Sequence, residues 1–236
     1  MSKILIVGGG VIGLFTAYYL HKKGAEVVVI DKGDMTDGCS YGNAGLIVPS
    51  HVVPLASPGM LRKGMKNLFR PESPVAARIA PNAGLLHGYN LFTIASTEQH
   101  VQHSIPVLIE LSLLSKGLYQ ELKATAEFDF PFWQKGLLML YKSQQTGEEL
   151  LEEAEIAHHA GLLVSELSRS DVFQLEPDAL PEVSGGVHYH SDDHLNPSGL
   201  LNSLISYLDK CGVQVVHMCA VLQVYTTGRW ALGGER

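Results

Sequence analysis

The stretch that most restricts what this chain can fold into is residues 3–32: a short apolar run, three successive glycines, a helix-forming segment, a second apolar run and an acid. Residues 4–7, Ile-Leu-Ile-Val, contain no polar position, the pattern of a strand buried on both faces of a parallel sheet. They lead directly into Gly8-Gly9-Gly10-Val11-Ile12-Gly13, which fits G-x-G-x-x-G through Gly8, Gly10 and Gly13. In that pattern the first glycine makes the tight turn and the second lets the backbone approach a pyrophosphate. The third lets the following helix lie close to the sheet. Val11 and Ile12 open the helix, so the phosphates meet free amides and the positive end of its dipole, worth about 0.3–1 kcal/mol and more when partly buried. The helix is expected over 11–23, with Ala17 and Leu20 facing the sheet and Gly24 as its stop. Residues 27–30 form the second strand, which ends in Asp31 followed by Lys32.

A carboxylate at Asp31 can accept from both hydroxyls of an adenosine ribose, whereas a 2′-phosphate would meet like charge there. NADP is therefore disfavoured, and the glycine motif leaves FAD or NAD. A signal-peptide reading of the N-terminus fails on three glycines inside the apolar run and on the lack of a small-residue cleavage site. A chain of 236 residues buries about 70–75% of its unfolded surface, in one large domain or two small ones. Its net charge of −7 argues against nucleic acid as a partner. No uninterrupted apolar run is long enough to span a bilayer, which predicts a soluble or peripheral protein. Cys39, Cys211 and Cys219 are odd in number and lack metal spacing, so reduced thiols and a cytoplasmic setting are expected.

Residues 34–45, DMTDGCSYGNAG, leave the second strand at the edge where a doubly wound sheet holds its ligand. Ser40 can donate to a phosphate, and Asn43-Ala44-Gly45 are small enough for their amides to reach a flat ring. An ordinary surface loop is the competing reading. Together with the N-terminal unit, the run Ser40-Tyr41-Gly42-Asn43-Ala44-Gly45-Leu46-Ile47-Val48-Pro49-Ser50-His51, then Pro54-Leu55-Ala56 and Pro58-Gly59, resembles the FAD-dependent amino acid oxidoreductases of the D-amino acid oxidase superfamily. Within that superfamily it is most similar to the bacterial D-amino acid dehydrogenase branch. The resemblance extends to about Thr227.

The resemblance implies an α/β fold: a Rossmann-like FAD/NAD(P)-binding domain with an inserted antiparallel-sheet substrate domain. It assigns 1–126 and 194–236 to the FAD domain and 127–193 to the substrate portion. It favours FAD over NAD, with Asp31 and Lys32 at the ribose and Ser40 near the pyrophosphate. Asn43, Ala44, Gly45 and Leu46 lie beside the isoalloxazine, and the Val221 backbone brackets the adenine. The implied reaction passes a hydride from an amino acid Cα to flavin N5, giving an imino acid that water converts to a 2-oxo acid. Membrane-associated relatives deliver the electrons to the respiratory chain.

Residues 57–70, SPGMLRKGMKNLFR, read as a helix capped by Ser57, with apolar residues and methionines on one face and four basic residues elsewhere. Such a helix can lie on an anionic bilayer, at the inner face of the membrane, or pack as an ordinary helix with a solvated basic edge, which is preferred. Residues 71–82 contain three prolines and read as a bent connection. Residues 98–124 have helical spacing broken by Pro106, giving two helices or one kinked helix, with Leu108, Leu111, Leu114, Leu118 and Leu122 as the core stripe.

Beyond 128, strands at 136–141, 162–164 and 186–189 alternate with helices at 146–160 and from a Ser170 cap to Pro177. A helix at 196–210 and strands at 212–216 and 220–225 follow. His188, His190, Asp192, Asp193 and His194 form the densest polar cluster. No i, i+4 pair on a helix and no thiolate joins them, so no metal site is assigned. They read instead as a turn into the helix capped by Asn196 and Pro197, with His194 able to face substrate.

The family pattern continues well past this region, and residues 228–236 fit it poorly, so the chain is expected to be truncated or to need a partner. The arginine and tyrosine that hold the substrate carboxylate in the family fall in the absent part, so no catalytic residue is nominated. The alternatives are a non-catalytic FAD-binding fragment or a subunit completed by another chain. An NAD-dependent dehydrogenase ranks last, because nothing after Asp31 resembles a nicotinamide half.

Overall fold

A computed structural model describes residues 3–60, 83–178, 182–226 and 230–233. In chain order the elements are β1 (Lys3–Val7), α1 (Val11–Lys22), β2 (Glu26–Ile30), β3 (Leu46–Ile47), α2 (Ala83–Ala95), α3 (Glu98–Ala124), β4 (Phe132–Trp133), β5 (Leu137–Tyr141) and α4 (Gln144–His159). They continue with β6 (Val164–Ser168), α5 (Arg169–Leu175), β7 (Gly185–Tyr189), β8 (Asp193–Leu195), α6 (Pro197–Lys210), β9 (Gln214–Val216), β10 (Gln223–Thr226) and β11 (Trp230–Gly233). Among the described residues no helix is long and apolar enough to cross a membrane. The basic helix expected over 57–70 is described only to Met60, whose N–H donates to Ser57 Oγ at 3.4 Å. Its remainder and the connection at 71–82 lie outside the described residues.

Chain contacts group the residues into two units: 1–47, 117–134 and 193–236 in one, and 48–116 with 135–192 in the other. This grouping differs from the expected split, because 48–116 cluster with the inserted portion and 127–134 with the first unit. The β4 strand explains the second difference: it pairs with β8, which also pairs with β3, in an antiparallel sheet of the first unit.

The first unit is built on β1 and β2, parallel from Lys3↔Glu26 to Val7↔Ile30, with β9 parallel on the far side of β2. Among the described residues the order is β1-β2-β9, with β1 at the edge, and β1 is not buried on both faces as expected, with Val7 60% exposed. Valines 27, 28 and 29 of β2 are buried, as suits the central strand. Leu14 and Ala17 of α1 and Leu200, Leu201, Leu204 and Leu208 of α6 pack with Val27 and Val29 into one core. The α1 helix stops at Gly24, whose φ of +82° turns the chain while its N–H donates to the His21 carbonyl. At the start of α6, the Asn196 side chain accepts from the Gly199 N–H at 2.8 Å with Pro197 in the first turn, as the sequence predicts.

In the second unit β7 is central, antiparallel to β5 and β6. Leu150, Ala154 and Ala157 of α4 pack with Val187 and Tyr189. The α4 helix starts two residues before the expected position because Ser143 and Thr146 form a reciprocal capping box. Likewise α5 is capped by Ser168, paired with Asp171, rather than by Ser170.

The α3 helix runs unbroken through Pro106. Its expected leucine stripe is corrected: Leu111 and Leu114 are 58% and 59% exposed, Leu118 is also exposed, and only Leu122 of the five is fully buried. Val101 is buried, and Ile105 and Ile109 pack on the core of the second unit.

Candidate cofactor site

The site grows from the junction of β1, α1 and β2. The Gly8 N–H donates to the Ile30 carbonyl at 2.8 Å, fastening the glycine turn to the end of β2. A Cβ on Gly13 would collide with the Gly8 carbonyl oxygen, so close packing of α1 on the turn demands glycine there. Gly10 occupies the N-cap position in extended geometry with no side-chain cap, and no acidic residue stands in the first turn of α1. The positive end of the helix is thus open to an anion and is not neutralised from within.

Asp31 holds this geometry. Its Oδ2 accepts from the Gly9 N–H and its Oδ1 from the Gly33 N–H, each at 2.7 Å. Its own N–H donates to the Val216 carbonyl at 2.9 Å, and its carbonyl accepts from the Cys219 N–H at 2.8 Å. A carboxylate offers about four acceptor positions, so two remain for ribose hydroxyls. Lys32, next along, is exposed. In the loop that follows, the Thr36 hydroxyl and amide bind Asp34 and hold its carboxyl below the usual range.

Ser40, 29 residues beyond Val11 in sequence, accepts the Val11 N–H on its Oγ at 3.0 Å. Its O–H is left to donate at the helix N-terminus, where a phosphate would sit. Asn43 braces the same loop by donating to the Cys39 and Ser40 carbonyls, while its Oδ1 accepts the Gly45 N–H at 2.8 Å. The Gly45 amide, expected to reach a flat ring, is therefore already engaged. Gly45 itself has φ +66°, and a Cβ there would collide with the Leu195 carbonyl. Leu46 pairs with His194 across β3 and β8 and is half exposed. Val221 lies between β9 and β10, partly buried, in a segment expected to be strand.

The polar cluster at 188–194 is distributed over separate partners, each distant in sequence. His188 Nε2 is 2.9 Å from the Lys135 carbonyl, and His190 Nε2 is 2.8 Å from Ser165 Oγ. Burial, helped by His188, holds His190 below the usual imidazole pKa. His194 stacks on Trp133, with ring centroids 4.9 Å apart. Asp193 accepts from Gln120 at 3.2 Å. Asp192 is fully buried and accepts from both the Ser50 N–H, at 3.0 Å, and the Ser50 hydroxyl, at 2.6 Å. Burial raises its carboxyl pKa despite these bonds. The Ser50–Asp192 pair spans 142 residues, and no local pattern announces it.

An open helix N-terminus, a glycine turn that cannot carry a Cβ at position 13 and an acid at the end of β2 fit a dinucleotide. The family model described as "FAD dependent oxidoreductase" matches residues 3–236, and the chain belongs to that family. The match passes Thr227 and includes the C-terminal stretch expected to fall outside the pattern. FAD is the dinucleotide of the family, which removes NAD. D-amino acid dehydrogenase of Helicobacter pylori strain J99 is 27% identical over 216 residues, 92% of this chain and 52% of the relative. Among solved structures, glycine oxidase from Geobacillus kaustophilus aligns with TM-score 0.68 and 18% identity over 99% of this chain and 52% of its own. An L-α-glycerophosphate oxidase from Mycoplasma pneumoniae with FAD bound aligns with TM-score 0.64 and 19% identity, over 99% of this chain and 50% of its own. The chain thus spans about half the length of the relatives it matches, and these solved structures establish its fold.

Proposed function

We propose that the chain serves an FAD-dependent oxidation of the CH–NH2 group of amino acids, of the D-amino acid dehydrogenase kind. The observation that carries this reading is the similarity to D-amino acid dehydrogenase along 92% of the chain, joined to a turn built for a dinucleotide. When bound, FAD supplies the two-electron acceptor for the substrate Cα hydrogen.

The chain's own residues bind and orient. The Gly10, Ile12 and Gly13 amides at the start of α1, together with the Ser40 hydroxyl, hold the pyrophosphate, while the Val11 amide, engaged by Ser40 Oγ, fixes that hydroxyl beside them. Asp31, with Lys32 beside it, takes the ribose, and Val221 flanks the adenine. Asn43, Ala44, Gly45 and Leu46 border the isoalloxazine. The Gly45 amide is engaged by Asn43, so a donor to the ring from this stretch comes from a neighbouring amide such as that of Ala44. The amino acid is the small-molecule partner, the respiratory chain is the electron acceptor, and residues 57–70 are a candidate contact with the inner face of the membrane.

The test is the visible absorption spectrum of the purified chain before and after anaerobic addition of mixed D-amino acids. Flavin bands that bleach support the reading. Bands that persist favour a second one, an FAD-binding fragment or subunit completed by another chain, which the half-length match to the relatives motivates. A chain that neither carries nor takes up FAD defeats both.

A further inference from the structure

A cleft of about 230 Å³ lies wholly within the second unit, between residues 50–55, β5, β7 and α4. Its walls are mainly aliphatic, with Val52, Leu55, Met60 and Met139, and two of its polar groups are Tyr189 and Glu153. Tyr189 is only 4% exposed, and its hydroxyl has no hydrogen-bond partner among the described residues. No fully enclosed side-chain polar atom among those residues lacks a partner, so this hydroxyl opens into the cleft. Like any tyrosine it is protonated near neutral pH, and burial, with smaller contributions from Glu153 and Asp192, pushes the phenol further up, to about 12. Glu153, projecting from α4, forms no ion pair among the described residues. Ser50 is occupied by Asp192 and fixes the wall instead of offering a donor.

The space is below the roughly 300–1,000 Å³ of drug-sized pockets and too small for a nucleotide. Its dry walls accept a short hydrocarbon chain, and a carboxylate at the mouth selects positive over negative charge. We propose that the cleft binds a small aliphatic ammonium compound, with its chain against Met139, Met60 and Leu55 and its charge at Glu153 and the Tyr189 hydroxyl. The site stands apart from the cofactor reading, because a bleached or unbleached flavin says nothing about it.

The experiment is saturation-transfer NMR on the full chain with FAD, using n-butylammonium as the probe and n-butanol and butyrate as comparators. Butylammonium is expected to bind, butanol more weakly, and butyrate not at all. Glu153→Gln, at an exposed position that does not endanger folding, is expected to weaken butylammonium about 10-fold, the size of one lost charge-assisted hydrogen bond. Met139→Trp, which fills the space, is expected to abolish binding. No transfer to butylammonium, equal binding of butyrate, or an affinity unchanged by Glu153→Gln would each overturn the proposal.

Discussion

Both carboxylate oxygens of Asp31 are in use before any ligand arrives, which makes its replacement costly in two ways. Asp31→Asn leaves one oxygen for the Gly9 and Gly33 amides and turns an NH2 toward the other. Losing one charge-assisted bond costs about 1.5–3 kcal/mol, so FAD should bind roughly 10- to 100-fold more weakly in a flavin-fluorescence titration. Gly13→Ala places a methyl against the Gly8 carbonyl, and this variant should purify colourless with FAD uptake abolished. These residues were legible in the sequence because the dinucleotide turn is encoded by spacing over a few residues. Asn43 was legible only as a small residue of the loop. Its task, bracing the Cys39 and Ser40 carbonyls while engaging Gly45, depends on a backbone path that composition does not disclose.

Elements announce themselves best at their ends. Asn196-Pro197 marked the start of α6, whereas the α4 and α5 starts shifted because the reciprocal partners Thr146 and Asp171 select Ser143 and Ser168. Helix faces were less legible. The α3 sequence is apolar on more than one side, so leucines at helical spacing did not identify the side that packs on Ile105 and Ile109. Leu111→Gln should therefore change stability by less than about 0.5 kcal/mol, against roughly 2–5 kcal/mol for Leu204→Ala in the buried face of α6. Denaturant midpoints of the two variants would separate these cases. The tie between Ser50 and the turn after β7 gives a pH signature. Burial makes the folded chain hold the Asp192 proton more tightly than the unfolded chain does. The corresponding stability is full below the unfolded value of about 4 and is lost as pH rises through the raised folded value. Thermal midpoints of the parent chain should fall as pH rises through that window, and those of Asp192→Asn should lack the decline.

At the scale of the whole molecule, the sequence showed the parallel unit but not how the rest divides. Nothing local in 48–60 announces that it joins the second unit, to which Ser50 is tied by Asp192, 142 residues away. The half-length match to the relatives gives FAD binding and amino acid oxidation separate experimental readouts. The main chain of Asp31 adds a third, because its carbonyl holds the Cys219 N–H while its side chain holds Gly9 and Gly33. Ligation at the ribose position should therefore be felt as a slower isotope clock beyond β9. With FAD present, deuterium uptake at the Cys219 amide should fall together with that at Gly9 and Gly33, although Cys219 lies outside the glycine turn. A peptide covering residues 217–222 would then act as a remote gauge of occupancy, readable even in a preparation too dilute to show colour.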